Sequence, residues 1–163
     1  MVRRLRLLFI FVSVCILLAG CVHTPDAPTV PTSMPTQENR IETITVYSIN
    51  SDSQTLVPVS VRKGKEKISE KYIVSLVLNN LMEYQINPPV IKKKGNKLYL
   101  SFSSEGEPVK NCNKKLEKLI LECFANSLID NIETCHDIIF QVDGKAYKSD
   151  NLEFGQDEIY LSR

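Results

Sequence analysis

The side chains best able to do chemistry in this chain are its few thiols and imidazoles, because the sequence holds five cysteines and two histidines. Cys21 stands out among them, since it directly follows the small residues Ala19 and Gly20 at the end of an apolar run. A thiol can be alkylated as its thiolate. Cys21 is therefore the first candidate for a covalent modification.

The residues before Cys21 predict an export signal. Arg3, Arg4 and Arg6 form a basic start, and residues 7–18 carry no charge. A basic region, an apolar region and small residues at a cleavage site make up a secretory signal peptide. The apolar run is shorter than the roughly 20 residues that a membrane-spanning helix needs, so a cleaved signal is favoured.

Residues 18–21, Leu-Ala-Gly-Cys, resemble a bacterial lipobox. The resemblance implies cleavage after Gly20 and lipidation of Cys21, which becomes the mature N-terminus. Several acyl chains give stable anchoring where a single chain is marginal. We therefore expect a lipid-anchored protein on the extracytoplasmic side of the cell membrane. An ordinary signal peptide with an incidental cysteine, or an uncleaved anchor, stays open as an alternative.

The three later cysteines, Cys112, Cys123 and Cys135, are predicted to be free thiols. If the first two lie on one helix, they are about 16 Å apart along its axis, whereas a disulfide needs Cα atoms within about 7 Å. Cys123 is expected to be a small core residue, and an intermolecular disulfide is the alternative. No CxxC pair occurs and only His136 adjoins a cysteine, so we expect no metal site.

The sequence offers little for catalysis. Neither GxSxG nor HExxH occurs. Cys135 and His136 lie at the entry to a predicted strand, and adjacent residues on a strand point to opposite faces. Paired carboxylates could hydrolyse a glycan, but the candidates lie in predicted loops without a recognisable pattern: Glu105, Glu107, Asp150, Asp157 and Glu158. We expect neither enzymatic activity nor a cofactor.

The most notable charge feature is a cluster of four lysines, Lys92, Lys93, Lys94 and Lys97. The cluster could contact an anion such as a wall polymer, a lipid headgroup or an acidic patch on a partner protein. The favoured interpretation is a solvated hairpin tip, whose lysines protect a sheet edge from pairing with other strands.

The overall charge argues against a nucleic-acid partner. The chain carries 20 basic and 19 acidic residues. The three arginines of the signal leave with it, so the mature chain has 17 basic and 19 acidic residues and a net charge of about −2. A nucleic-acid-binding domain is typically basic, and this one is not.

Composition divides the chain into three parts. Residues 1–20 are the predicted signal peptide, and residues 21–40 form a tether in which prolines are interspersed with Thr and Ser. Such a segment buries too little apolar surface to fold, and at about 3 Å per residue it reaches at most about 60 Å. Residues 41–163 remain for one folded domain, which is long enough to hold a core.

Hydrophobic periodicity predicts the elements of this domain in the order β-β-α-β-β-α-β, an α+β fold. The predicted strands lie near residues 43–47, 56–61, 90–91, 98–102 and 137–142, and the predicted helices near 68–85 and 113–128. Pro58 should place the second strand at an edge or at a bulge. Two amphipathic helices packed on one face of a mixed sheet would bury both apolar stripes, and this is the architecture we predict.

Five short motifs, spread over roughly residues 42–163, carry a further resemblance. They are Thr43–Tyr47, Leu56–Val59, Leu98–Phe102, Phe140–Lys145 and Tyr160–Arg163. In this order they resemble the GerMN domain of sporulation and spore-germination proteins, which is similar to the ring-building motif of envelope assemblies. The resemblance implies an exported lipoprotein with an assembly role and no catalytic residues. The best-known member has two such domains in tandem, whereas this chain has one.

We therefore expect a non-enzymatic envelope lipoprotein, held to the membrane by its lipid, whose GerMN-like domain binds envelope proteins or copies of itself. Sporulation or spore germination is the setting that the resemblance implies. A module that binds the cell wall or another anionic ligand through the lysine cluster is the alternative. An enzyme that acts on the cell wall is the third hypothesis.

Overall fold

The computed structural model describes residues 42–163, and the predicted signal peptide (1–20) and tether (21–40) lie outside this part of the chain. Its main elements follow the order β-β-α-β-β-α-β, and two short strands come last. The predicted α+β class and the order of the elements are confirmed. Neither helix of residues 42–163 is long and apolar enough to cross a membrane.

The first two strands, β1 (Thr43–Asn50) and β2 (Thr55–Arg62), form an antiparallel hairpin. Pro58 lies opposite Tyr47, whose N–H points away from β2 and donates to Ser127 Oγ at 2.8 Å. Opposite residues of an antiparallel pair either exchange hydrogen bonds with each other or both face away. The missing N–H of Pro58 therefore costs no ladder bond, and its predicted place on an edge strand is confirmed.

Helix α1 (Glu70–Asn80) begins at Ser69, whose Oγ accepts the N–H of Tyr72 as the N-cap. The α-helix ends at Asn80, before the predicted limit at residue 85, and a 3-10 turn (Met82–Tyr84) follows it. The early end is consistent with the weak helix propensity of the two asparagines that close α1.

A second antiparallel hairpin consists of β3 (Val90–Lys94) and β4 (Lys97–Phe102). Gly95 has a φ of +63°, and Asn96 is not among the residues with positive φ. A glycine with positive φ at the first central position is typical of the type II′ turn of a two-residue hairpin. The turn predicted from this Gly-Asn pair is confirmed.

Helix α2 (Lys114–Asn131) is capped by Asn113, whose side-chain oxygen accepts the N–H groups of Lys115 and Leu116. Ten of its 18 residues are buried. The helix is therefore covered on more of its circumference than the single apolar stripe of a surface helix would require.

Strand β5 (Asp137–Val142) pairs in parallel with β4, so that β4, α2 and β5 form a β-α-β unit. Asp143 and Gly144, with φ values of 50° and 74°, make the tight turn into β6 (Lys145–Ala146), which pairs with the end of β5. Strand β7 (Leu161–Ser162) pairs with the beginning of β5. The Asp-Gly pair thus forms the predicted turn with positive φ at both positions.

The strands form two sheets, whereas the sequence predicts one. β1 and β2 stand alone, and β3, β4 and β5 lie side by side with β6 and β7 both paired to β5. The hairpin stays separate because α2 occupies the outer edge of β1. Ser127 accepts the N–H of Tyr47, and Asn131 Nδ2 donates to the carbonyl of Thr45 at 2.7 Å. The side chains of α2 therefore bond the backbone N–H and C=O groups of β1 that would otherwise pair with another strand.

Both helices share one core with the sheets. Its sheet side is formed by alternate residues of β4 and β5, and aromatic rings join it to α2: Phe102 meets Phe124 edge to face at 5.5 Å between ring centroids. Phe140 and Tyr160 meet in the same way at 4.8 Å. Aromatic pairs of this geometry add to the free energy gained from burial.

Glu117 is a fully buried charged residue near the start of α2. Its carboxylate accepts the O–H of Tyr147 at 2.7 Å and the amide N–H of Asn151 at 3.0 Å. Burial and the neighbouring carboxylate raise the pKa of Tyr147 above its ordinary value, so the phenol stays a donor. Because a buried charge needs such partners, Glu117 ties the C-terminal segment to α2.

Replacing Ser127 with alanine should destabilise the domain. The N–H of Tyr47 would lose its acceptor, and a buried donor left unsatisfied costs about 1–3 kcal/mol. We expect the free energy of unfolding, measured by urea denaturation, to fall by about 1–2 kcal/mol.

The matched control is Ser75→Ala, because Ser75 is exposed and its hydroxyl donates only within its own helix. This change should alter the free energy of unfolding by less than about 0.5 kcal/mol. Equal losses in the two variants would contradict the role assigned to Ser127.

Candidate functional site

The predicted lipidation site, Cys21, and the cleavage position, Gly20, lie outside the described residues, and both stay predictions. The lysine cluster (residues 92–94 and 97) lies on the β3–β4 hairpin. All four lysines are strand residues rather than turn residues. The register of the hairpin therefore decides where each side chain points.

This register separates Lys93 from the other three lysines. Side chains alternate between the two faces of a strand, and Lys94 lies opposite Lys97. Lys92, Lys94 and Lys97 therefore project from the same face of the sheet, which we call the outer face. Lys93 projects from the other face, toward the helices.

Lys93 makes contacts within the domain. Its Nζ donates to Glu70 at 2.9 Å and to Thr134 Oγ1 at 2.6 Å. A backbone hydrogen bond at the start of α1, together with Lys93, holds the pKa of the Glu70 carboxyl below its ordinary value. Lys93 thus links β3 to α1, although a partly exposed pair of this kind contributes only modestly to stability.

The outer face holds a polar cleft of about 300 Å³. Its lining residues come from the hairpin and from the segment before β7: Lys94, Asn96, Lys97, Tyr99 and Asp157. The hydroxyl of Tyr99 donates to Asp157 at 3.1 Å. The cleft therefore combines two ammonium groups with one carboxylate that already has a partner, an arrangement able to take an anion.

A larger cavity, of about 450 Å³, lies between α1 and β3, and we call it the edge groove. It is lined by Lys71, Val74, Ser75, Leu78, Pro88, Pro89, Val90 and Ile91. Most of these residues are apolar, and Val90 is 59% exposed. A mostly apolar concave surface of this volume is typical of a binding site.

The backbone of β3 beside this groove is unpaired along its outer edge. In a two-residue hairpin the pair that closes the turn, Lys94 with Lys97, is hydrogen-bonded. The N–H and C=O groups of Ile91 and Lys93 therefore point away from β4. Within residues 42–163, no other strand pairs with this edge.

The edge groove was not predicted from the sequence, although a signal for it was present. The apolar stripe that predicts α1 contains Ile73, Val77 and Leu81, which are buried. Val74 and Leu78 form a second row, four residues apart. A helix with two apolar rows indicates a second contact surface, and here the second row lines the groove.

Cys112, Cys123 and Cys135 are free thiols, as predicted. Burial, with smaller contributions from nearby carboxylates, raises the pKa of Cys112 and of Cys123 to about 12. Burial raises the pKa of Cys135 to about 11. Because the thiolate is the reactive form, none of these three residues is poised to act as a nucleophile near neutral pH.

The other candidates for chemistry are Cys135 with His136 and the carboxylates of the loops. Cys135 is buried and His136 is exposed, and both precede β5, which begins at Asp137. Glu105 pairs with Lys110, and Glu158 accepts the N–H of Gly155. Within the described residues, no group of three or more His, Cys, Asp or Glu side chains could hold a metal ion.

The raised thiol pKa values predict slow alkylation of the folded protein. At pH 8 a thiol with a pKa of about 12 is roughly 0.01% thiolate, whereas an ordinary thiol is roughly a quarter thiolate. We expect iodoacetamide to label Cys123 and Cys135 at least about 100-fold more slowly in the native chain than in guanidinium chloride, as measured by peptide mass spectrometry. Cys112, which is partly exposed, should also be slowed. Equal native and denatured rates would contradict the assignment.

Comparisons with known proteins identify likenesses in fold. No family model matches the chain, and no curated protein matches it significantly. A crystal structure of a candidate lipoprotein from Clostridium perfringens is 13% identical, with a TM-score of 0.42, over 75% of this chain and 93% of that one. The tandem GerMN domains of the sporulation protein GerM from Bacillus subtilis are 16% identical, with a TM-score of 0.45, over 90% of this chain.

This chain covers 56% of the tandem-domain structure, a little over half of its length. The structural neighbours therefore include GerMN domains and a candidate lipoprotein. At these identities the likeness concerns the fold alone, and membership of the GerMN family stays a prediction.

Proposed function

We propose that this chain is a non-enzymatic lipoprotein of the cell envelope, anchored at Cys21, whose folded domain serves as a protein-interaction module. The GerMN resemblance implies sporulation or spore germination as its setting. The observation that carries the proposal is the free edge of β3 beside the apolar edge groove. Unpaired strand edges and apolar grooves are the surfaces by which domains bind extended segments of other proteins.

The proposed mechanism is geometric. The lipid on Cys21 holds the protein to the outer surface of the cytoplasmic membrane, and the tether (21–40) lets the domain reach its partners. Restricting the domain to a layer near the membrane raises its effective concentration toward other anchored proteins. Weak contacts are then sufficient for assembly, with envelope proteins or with copies of the same chain.

The chemistry of the described residues supports binding rather than catalysis. The thiols of Cys112, Cys123 and Cys135 have raised pKa values. The buried carboxylate of Glu117 is occupied by Tyr147 and Asn151, which stabilise the fold. These groups have structural partners or environments that disfavour nucleophilic and general-base chemistry.

Crosslinking in intact cells tests the anchored-module proposal. The full-length chain should recover envelope proteins after crosslinking and purification, and the Cys21→Ala chain should lose them, because it lacks the anchor that concentrates it at the membrane. The amount of each recovered protein is measured by mass spectrometry. Equal recovery with Cys21→Ala, or recovery of the monomer with wall fragments alone, would contradict the proposal.

A second candidate function is the binding of an anionic wall polymer or a similar ligand. It is favoured by the placement of Lys92, Lys94 and Lys97 on the same outer face, beside the polar cleft. If it is right, the triple change of these residues to Glu should reduce sedimentation with purified cell wall by at least about tenfold at low salt. The matched control is the triple change of Lys114, Lys115 and Lys118 to Glu, since these lysines are exposed on α2, and it should retain binding. Equal effects would contradict this function.

A further inference from the structure

We propose that the edge groove and the free edge of β3 bind an extended protein segment in which apolar and acidic residues alternate. The segment would add to the sheet as a further strand beside β3. This inference rests on the proposed role as an interaction module, and it names the chemistry of the partner that this surface fits.

The backbone of β3 provides the first part of the site. Ile91 and Lys93 direct two N–H groups and two C=O groups away from β4, as the register of the hairpin requires. Within residues 42–163 no strand pairs with them. An added strand could therefore form up to four backbone hydrogen bonds, which is the means of attachment in β-augmentation.

The side chains on the helix side of β3 provide the second part. Successive side chains of an added strand point to opposite faces, so alternate residues of the partner would face α1. There they would enter the edge groove and contact Val74, Leu78 and Ile91. Apolar side chains fit this surface, because most of its lining residues are apolar.

The outer face of β3 favours acidic side chains in the partner. The intervening residues of the partner would lie beside Lys92 and Lys94, which project from the outer face. Neither lysine has an ion-pair partner within the described residues, whereas Lys93 is paired with Glu70. Acidic side chains at the intervening positions therefore complement this surface.

The same features disfavour a second copy of the chain as the occupant. Pairing β3 with β3 of another copy would bring two lysine-rich strands together, and facing like charges are destabilising. The free edge of β2 contains Pro58, whose nitrogen points outward and carries no hydrogen. The remaining strands, β6 and β7, have two residues each. A separate, acidic partner is the better match.

A peptide titration tests this inference. The probe is a fluorescein-labelled peptide of four Glu-Val repeats, and its fluorescence anisotropy is followed on addition of the full-length chain in detergent. One control peptide has four Lys-Val repeats, and another has the same composition as the probe in two blocks, with all of its valines before all of its glutamates. We expect the alternating acidic peptide to bind at least about tenfold more tightly than either control. No binding up to about 1 mM, or equal binding of the three peptides, would overturn the inference.

Two pairs of variants localise the binding. Lys93→Pro removes an outward N–H that β4 does not use, and Lys93→Ala removes the same side chain while keeping that N–H. We expect Lys93→Pro to bind the probe about tenfold more weakly than Lys93→Ala.

The second pair tests the charges on the outer face. The double variant Lys92→Glu, Lys94→Glu should bind the probe at least about tenfold more weakly than the unchanged chain. The double variant Lys114→Glu, Lys115→Glu changes two lysines that are exposed at the start of α2, and it should bind the probe as the unchanged chain does. Equal affinities within either pair would overturn the inference.

N-methylated peptides keep the test decisive if Lys93→Pro does not fold. One peptide is methylated at its odd-numbered backbone nitrogens and another at its even-numbered ones. Methylation of the set that faces β3 should abolish binding, whereas methylation of the set that faces away should leave binding unchanged. Equal effects of the two methylation patterns would overturn the inference. So would sedimentation that shows a dimer kept by Lys93→Ala and lost on Lys93→Pro, because a second copy would then occupy the edge of β3.

Failure of this inference is distinguishable from failure of the proposed function. If the Lys92→Glu, Lys94→Glu chain still recovers the envelope proteins that Cys21→Ala loses, this edge is not their binding site, and the inference falls while the anchored module stands. If Cys21→Ala recovers them as well, the anchored module falls, and the peptide titration still decides whether the edge binds an acidic strand.

Discussion

The domain depends on the burial of helix α2, because this helix contacts both sheets, helix α1 and the C-terminal segment. Phe124 places it against the sheet of β3, β4 and β5. Ser127 and Asn131 bond the backbone of β1, and Glu117 holds the C-terminal segment. The polar groups on its buried faces cannot reach water, so each needs a partner inside the protein. Those obligatory partners fix the position of the hairpin and of the C-terminal segment relative to the core.

The local structure could be predicted from the sequence because each element is specified by nearby residues. Asn113 and Ser69 cap the helices, and the Gly-Asn and Asp-Gly pairs form tight turns with positive φ where it is required. Strand β5 is a nearly continuous apolar run, as a central strand of a parallel pair should be. The α+β class follows from the order of these elements.

The parts that sequence reasoning missed are set by contacts between distant residues. The separation of the β1–β2 hairpin depends on Ser127 and Asn131, roughly 80 residues or more away from their partners, and no local pattern marks a helix serine as a substitute for a strand. The lysine cluster is similar. Four lysines look like one patch in the sequence, but alternation along the strand directs Lys93 to Glu70 and the other three outward. The edge groove needs α1, Pro89 and β3 to meet, which periodicity alone does not specify.

The free edges of β2 and β3 differ in their ability to accept another strand. This difference explains how the lysine cluster can both protect an edge and bind an anionic partner. On β2, Pro58 directs its nitrogen outward and so removes a donor from the free edge, which disfavours pairing with another strand. On β3 no proline interrupts the edge, and its donors and acceptors stay available beside an apolar groove. The lysines of β3 repel basic strands, including β3 of a second copy, and they attract acidic strands. Edge protection and selective contact are therefore consequences of the same charges, and the partner's sequence decides which of the two operates.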